Sequence, residues 1–519
     1  MIAYRINLHR SLFFCIVCTL LVSCSQEENP VLEPTDGTDL MTFELKASDG
    51  TLYHPFLVDD SIIHISVPNQ ADVSRLTPVF KHNGLKVLAN NGEINSGFSI
   101  LDFSDFTNPV EIKVISSLGE EKTLRVNIYD LPVLLINTPN SQPIESKEIR
   151  VEGTEVKLVD SDLNVIDLGI GGIRGRGNST WLEPKKPYNL KLDKKQEILG
   201  MSKSKHWILL AHSNYDRTQI HNATAFEMAR LTDFPWVQSG RFVELILNGT
   251  HKGIYYLCEK IRAEKGKIEI DEMSPEDETG GFLLESVMSF EPTGDFFTTD
   301  YFNLTGKLHT EPFVYTLGWE IKSPDEEDVT SLQRSYIVNS MNEMEKLIAD
   351  DETLLNGKYR ELFDIETAIN WWLVEEASIN IEAQRTKNLF MYRTGGGKFR
   401  LGPPWDFDAW TFGVREQPGQ FLLTETSLYY YRLLKDPYFV NRIKEKWQTI
   451  KPIWISQIPS FIYSKCKELK RAAKRNEQMW PNWYSGNHYP DKAYEEIIED
   501  MKATFLQQVE WMDGQIAAM

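Results

Sequence analysis

Gly402-Pro403-Pro404-Trp405-Asp406-Phe407-Asp408 is the stretch on which the reading of this chain turns. It follows a short predicted strand, Lys398-Phe399-Arg400-Leu401, and runs on to Phe412-Gly413. Two carboxylates flank one aromatic, and in a strand Asp406 and Asp408 share a face because side chains alternate. Such a pair presents oxygens to a hard divalent cation. Asp also caps helices and turns, so the pair alone does not fix a function. Upstream, an apolar helix is predicted over 368–377. A polar cluster of Asn380, Glu382, Arg385 and Asn388 follows it, then a hairpin around Gly395-Gly396-Gly397.

Taken in order, a carboxylate, an Asn six positions later, a strand hairpin and an Asp resemble the catalytic half of protein kinases. There an Asp orients the acceptor hydroxyl, while an Asn and a second Asp hold the Mg²⁺ that bridges the phosphates. Further upstream lies a Gly-rich loop, Gly169 to Ser179, carrying Arg174, Arg176, Asn178 and Ser179 as donors suited to anionic oxygens. Its spacing is not that of a P-loop, and glycines also mark bulges and tight turns.

Around these motifs the pattern is mixed. Pro132-Val133-Leu134-Leu135-Ile136 opens a β-rich segment, and Lys186-Pro187-Tyr188-Asn189-Leu190-Lys191-Leu192 reads as a strand by alternation. A helix is predicted over 216–231, capped by Asp216 with Gln219 three residues on. Residues 241–261 read as a hairpin turning at Asn248-Gly249. After about Ser331 the chain becomes mainly helical. Its C-terminal region carries Tyr429, Tyr430, Tyr431, Trp447, Trp454, Trp480 and Trp483, read as core, and Lys470 to Arg475, read as a solvated basic face.

Several separated motifs together resemble the spore-coat CotH kinase family. They are Arg174-Gly175-Arg176-Gly177-Asn178-Ser179-Thr180-Trp181 with Lys185-Lys186-Pro187-Tyr188, then Leu199-Gly200-Met201 and Trp207-Ile208-Leu209-Leu210-Ala211. Asn248-Gly249 with Gly253-Ile254-Tyr255-Tyr256-Leu257-Cys258-Glu259-Lys260, and the 402–408 stretch, complete the set. The resemblance covers 131–519 and implies an atypical protein-kinase fold. It also implies ATP with Mg²⁺ or Mn²⁺, and transfer to Ser or Thr of partner proteins. Carried over by position, it makes Asp406 the metal-binding aspartate, with a catalytic role, and Asn388 its helper. Lys191 becomes the phosphate lysine, Glu227 its ion-pair partner, and Arg174 and Arg176 further nucleotide contacts. Glu259 is either a hinge residue against the base or a sheet charge paired with an arginine. The family's catalytic Asp, in an Asn-x-Asp context, is replaced by Asn380-Ile381-Glu382. The extra methylene of Glu382 moves the carboxylate by about 1 Å, and misplacement on that scale costs roughly 10²-fold. A slow kinase and a nucleotide-binding pseudokinase both remain open.

The N-terminus reads as an export signal. Arg5, His9 and Arg10 precede an apolar run from Leu12 to Val22, too short to span about 30 Å of hydrocarbon. It ends on Leu21-Val22-Ser23-Cys24, shaped like a bacterial lipobox, with Cys24 as the lipidated residue. The acidic residues after Cys24 resemble surface-export tags of Bacteroides-type lipoproteins. The expected location is therefore the outer membrane or cell surface, with the membrane reached through the lipid anchor. Cys258 and Cys466 then remain for the folded part, which makes neither a disulfide framework nor a zinc site. A net charge of -20 argues against nucleic acid as a partner, since that affinity comes from Lys and Arg neutralising phosphates.

The expected fold is a multidomain α+β chain. It comprises a signal peptide (1–23), a tether (24–38), an immunoglobulin-like β-sandwich (39–130) and an atypical protein-kinase-like domain (131–519). That domain divides into a β-rich N-lobe (131–330) and a mainly helical C-lobe (331–519). Two other functions compete with a kinase. One is a non-catalytic surface module that binds a glycan or protein. The other is a glycoside hydrolase using Glu382 and Asp406, which needs carboxylates about 5–10 Å apart.

Overall fold

The computed structural model describes residues 36–289, 294–302, 305–307, 314–325, 328–385, 387–414, 417–421, 427, 429–481 and 492–519. The export signal, Cys24, most of the tether and Trp483 lie outside the described residues. No helix among the described residues is long and apolar enough to cross a membrane.

Residues 40–129 form two sheets. One has three strands, ordered Leu52–Tyr53, Leu40–Lys46, Thr77–His82. The other has six, centred on Ile62–Ser66, Glu121–Tyr129 and Val110–Ile115. The alternation read from the sequence decides which faces meet. Val110, Ile112 and Val114 are buried while Glu111 is exposed, and they share a core with Phe43, Leu45, Ile63 and Ile65. Such period-two burial is what a half-buried strand requires.

The next 130 residues close into a barrel. Its strands run in the order Val133–Asn137, Val151–Val159, Val165–Gly175, Tyr188–Ile198, Met201–Leu210, Thr250–Glu259 and Gly240–Leu247. Parallel pairing of Val133–Asn137 with Gly240–Leu247 closes it. Leu134, Val156, Ile173, Leu190, Trp207 and Leu257 fill the interior. On the outer face, Ile208, Leu210, Tyr256 and Cys258 pack against Phe226 of the helix His221–Arg230 and join the largest core. Asn248 and Gly249 make the expected turn, with φ of 50° and 72°, the left-handed pair that a two-residue hairpin needs.

Two expectations are corrected here. The Gly-rich run is mostly strand rather than loop, since Val165–Gly175 is continuous. A Cβ at Gly171 would lie 2.4 Å from the Lys191 carbonyl oxygen, and one at Gly175 2.4 Å from the Trp181 ring. These glycines therefore serve close approach. The helix begins at His221 rather than Asp216. The Asp216 carboxylate instead accepts the backbone N–H of Gln219 (2.7 Å) and His221 (3.1 Å), holding the turn before the helix.

A third sheet joins Phe296–Phe297, Val314–Ser323, Phe282–Met288, Phe390–Arg393 and Arg400–Leu401 in that order. Its hydrogen bonds link strands before residue 330 to strands well after it. Helices Ser331–Ala349, Ile365–Ala377, Pro437–Met479 and Tyr494–Ala518 surround it. Thr330 starts the first with a reciprocal capping box to Gln333. Tyr429, Tyr430, Trp447 and Trp454 are buried in the shared core, as aromatic density predicted. Cys258 and Cys466 are both free and buried.

The basic segment Lys470 to Arg475 is not simply solvated. Arg475 is buried, donates to the Ile128 carbonyl oxygen (2.6 Å) and pairs with the buried Glu244. Its guanidinium lies 5.1 Å from the Phe106 ring centroid and 4.8 Å from that of Tyr129. Arg471 donates to the Ala71 carbonyl oxygen at 3.0 Å. The last turns of the long helix thus bind the sandwich and the barrel together. Removing one partner of a buried ion pair leaves an uncompensated charge, which costs about 3–5 kcal/mol. Arg475→Ala is expected to lower unfolding stability by that amount in a denaturant titration, and Lys467→Ala, on the exposed side of the same helix, to change it little.

Candidate active site

The 402–408 stretch leaves the third sheet at Leu401 and meets the 3-10 turn Ile381–Arg385, which follows the helix Ile365–Ala377. This brings together the acidic residues picked out in the sequence. The Asn388 amide donates through Nδ2 to Asp406 Oδ2 at 2.8 Å and to Glu382 Oε2 at 3.2 Å. Lys387 Nζ lies 3.9 Å from Glu382 Oε1. Behind them, Asn380 accepts the Glu382 N–H (3.1 Å) and donates to Glu375 Oε2 (2.8 Å). Burial, together with Glu376, Asp406 and Glu382, pushes the Glu375 carboxyl well above the usual carboxylate range.

The backbone is strained at this point. Asn388 (φ 61°), Asp406 (φ 71°), Ile379 (φ 54°) and Phe412 (φ 51°) are all left-handed. Each such non-glycine residue costs about 1–3 kcal/mol and persists only where its surroundings hold it. Those restraints are visible. Phe407 N donates to Asn222 Oδ1 (2.9 Å), Phe412 N to the Ser378 carbonyl oxygen (2.7 Å) and Asn388 N to that of Ser286 (3.3 Å). Asp406 and Asp408 therefore do not share a strand face, because a left-handed residue ends the extended run. Asp408 still lies near Asp406. It is buried and accepts no hydrogen bond among the described residues. Burial first, then the Asp406 charge, pushes its carboxyl well above the usual range.

Facing these acids is a basic wall on the outer face of the barrel. Arg176 sits 5.5 Å over the Trp405 ring and offsets the Asp408 charge. Arg150 donates to the carbonyl oxygens of Gly172 and Asn189, each at 3.2 Å. Arg174 donates to that of Glu148 at 3.1 Å, while its buried Nε has no partner. Lys260 is pushed down to about 8 by burial and by Arg262, Arg174, Lys322 and Arg150. His206 falls to about 3 from burial and the cations Arg262, Lys260, Lys191 and Arg150. None of Arg150, Arg174, Lys191, Lys260 and Arg262 forms an ion pair with a described carboxylate. In a chain of net charge -20, a cluster of partly buried cations that also repel one another has the charge to attract an anion. Lys322 pairs with Glu285 (2.9 Å), and Ser286 next to it holds Asn388, so the two walls meet at one strand.

The remaining expected residues fall differently. Lys191 lies on this basic wall, level with Gly172 and His206. Its expected pair with Glu227 does not form, because Glu227 binds Arg230 of its own helix at 2.8 Å. Glu259 is a sheet charge rather than a hinge contact. It accepts the Ser239 N–H (2.9 Å), lies 3.9 Å from Lys267 rather than an arginine, and is level with Trp207 on the inner side. Alternation along Tyr256-Leu257-Cys258-Glu259-Lys260 turns Lys260 outward instead, and that signal was present in the sequence. Arg150, His206 and Arg262 carried no comparable sign. The side chain of Arg385 lies outside the described residues.

A divalent cation fits the donors present. Asp408 is a buried carboxylate near Asp406 that accepts no hydrogen bond among the described residues, and a cation there would offset the burial and charge crowding that raise its pKa. The Asn388 amide turns its nitrogen to the carboxylates, so its oxygen becomes a third hard donor only when the amide rotates. Among the described residues no three His, Cys, Asp or Glu side chains form a metal site alone. An ion here therefore needs ligands from water or phosphate, as Mg²⁺ habitually does.

Comparison with known proteins bears on this geometry. A crystal structure from Bacteroides thetaiotaomicron, described as a "putative glycoside hydrolase", is 12% identical. The alignment covers 59% of this chain and 88% of that one, and its TM-score of 0.15 carries no inference. No curated protein matches the chain. The family described as CotH kinase protein matches residues 173–512, more than half of the sequence and all of the acidic cluster. The chain belongs to the CotH kinase protein family.

Proposed function

We propose that the cleft between the basic barrel face and the acidic cluster binds ATP and transfers its terminal phosphoryl group to a Ser or Thr hydroxyl of a partner protein. The observation that carries this reading is the opposition of the two walls. Cations without an ion pair among the described residues (Arg150, Arg174, Lys191, Lys260, Arg262) crowd round Lys322, whose partner Glu285 adjoins the strand residue that holds Asn388, while Arg176 of the same barrel face lies near Asp408. Asn388 gathers Asp406 and Glu382. Phosphoryl transfer asks little covalent chemistry of a protein and depends on positioning and charge. The basic wall supplies the cradle for the phosphates. Mg²⁺ or Mn²⁺ held by Asp406 and Asp408, with the Asn388 amide turned over to offer its oxygen, would neutralise phosphate oxygens. Glu382 is the carboxylate placed to orient the acceptor hydroxyl and take its proton. Asn388 donates to Glu382 at 3.2 Å and Lys387 Nζ lies 3.9 Å from it, contacts that fix where its carboxylate points.

Glu382 is also the observation that favours a second reading. Its carboxylate is already engaged by Asn388, and it stands where the resemblance expects a shorter Asp. A nucleotide-binding protein that transfers slowly or not at all fits that feature. For location, the lipobox at Cys24 and the acidic residues behind it support attachment to the outer membrane facing the surface. The substrate is then an exported or envelope protein.

Two outcomes test the reading. With labelled ATP and Mn²⁺ or Mg²⁺, the wild type is expected to incorporate phosphate and Asp406→Ala to lose at least about 10²-fold of that rate. Glu382→Asp is expected to raise it. Metal-dependent binding without transfer in any of them selects the second reading, and absence of binding removes both. The other outcome concerns pH. Lys260, at about 8 against an ordinary 10.5, is charged below pH 8 and loses its proton above it. Nucleotide affinity measured by calorimetry is expected to fall between about pH 8 and 9.5, and Lys260→Met to flatten that decline. The unfolded chain holds more protons than the native one from about 8 to 10.5. This group's contribution to the stability of the ligand-free protein therefore becomes less unfavourable as pH rises through that interval.

A further inference from the structure

The wall of the barrel is open along one seam. Strand Val165–Gly175 pairs with Tyr188–Ile198 only from Gly171–Leu192 to Gly175–Tyr188. Beyond that level the two part. Residues 165–170 keep their bonds to Val151–Val159, and the end of the other strand keeps its pairing with Met201–Leu210. A groove of about 440 Å³ opens at the barrel's end beside the parting, where Ile166, Leu168, Glu197 and Leu199 line it together with Leu158, Phe242 and Glu468, and Asp160 and Asp162 border it. A long bond of 3.4 Å from Gln196 Nε2 to the Leu168 carbonyl oxygen reaches across it.

A strand edge beside a groove is a template for an added strand wherever its backbone N–H and C=O groups lack strand partners. Within 165–170 only side chains take such groups outside the ladder, Asp167 accepting the Gly169 N–H at 2.8 Å and Gln196 reaching the Leu168 carbonyl oxygen. The side chains specify what kind of strand. Ile166, Val165 and Ile170 are 40%, 54% and 43% exposed along the same edge. Asp162 and Glu197 form no ion pair among the described residues, and Asp160 is spent on its own turn, accepting the N–H of Asp162 and Asn164, each at 2.9 Å. Arg241 lines the groove as well, but its guanidinium donates to the Gly240 carbonyl oxygen at 2.8 Å. An apolar edge beside unbalanced carboxylates suits a basic partner segment.

We propose that this seam docks an extended segment of a partner polypeptide in which Lys or Arg alternates with apolar residues, paired to the edge 165–170. The groove lies at the end of the strands away from Gly175 and shares none of the residues assigned to the phosphate cleft, so the proposal stands independently of phosphoryl transfer.

The test uses the full chain and three synthetic peptides of about ten residues, long enough to span a strand. One alternates Lys or Arg with Val and Leu, one replaces the apolar residues by Ser, and one replaces the basic residues by Glu. Hydrogen exchange is expected to show new protection of 165–170 with the first peptide only. Asp162→Lys with Glu197→Lys should weaken its binding at least about tenfold, with an unchanged circular dichroism spectrum. Equal binding of the basic Ser peptide would reduce the effect to general attraction by an acidic protein and overturn the proposal. Protection confined to the phosphate cleft, or no protection at all, would also overturn it.

Discussion

Near the end of the 43-residue helix Pro437–Met479, Arg475 and Asn476 hold the barrel against everything that follows it. Asn476 Oδ1 accepts from Lys185 Nζ at 2.9 Å and from the Ile254 N–H at 3.2 Å. Gly253 makes room for it, because a Cβ there would lie 2.2 Å from that oxygen. Lys185 is wholly enclosed, so burial drives its amine well below the ordinary lysine range, and the Ile254 carbonyl oxygen and Tyr255 ring complete its surroundings. Burying an ammonium is tolerable only with such partners. The same residue precedes the strand that carries Lys191, so the helix that packs the acidic half also fixes the basic wall. Both sides of the cleft are referred to one rigid element.

Within the cleft the controlling group is the Asn388 amide. It is neutral, so it gathers two carboxylates without discharging either, which an ammonium in that place would do. Its left-handed backbone is held from behind by Ser286, and that of Asp406 by Asn222 at the next residue, while Ser378 holds Phe412 further on. The strain is thus carried by buried packing rather than by the exposed surface, consistent with a site assembled before its ligands arrive. The cost is carboxylates held in a buried, crowded place: burial first and neighbouring acids second push Asp408 and Glu375 well above the usual carboxylate range.

Much of this was legible in the sequence, for local reasons. Period-two alternation gave the sandwich strands, Asn248-Gly249 gave a hairpin of the barrel, and the order of Glu382, Asn388 and Asp406 gave the acidic cluster. What escaped depends on tertiary contact. Glycines that look like a loop became a strand because Lys191 and Trp181 approach them closely. Glu227 satisfied itself within its own helix, where an arginine three residues on competes with any distant lysine. Arg475 looked solvated until the sandwich covered it. The basic wall draws on Arg150, Lys191, His206 and Lys260, which only the rolled barrel sets side by side.

The most direct measurement is a crystal structure with Mn²⁺ and a non-hydrolysable ATP analogue, read by anomalous scattering. The account predicts a manganese peak in contact with Asp406 and Asp408, and phosphates lying against Arg174 and Lys260. Nucleotide bound elsewhere, or manganese absent from those carboxylates while the analogue is bound, would contradict it.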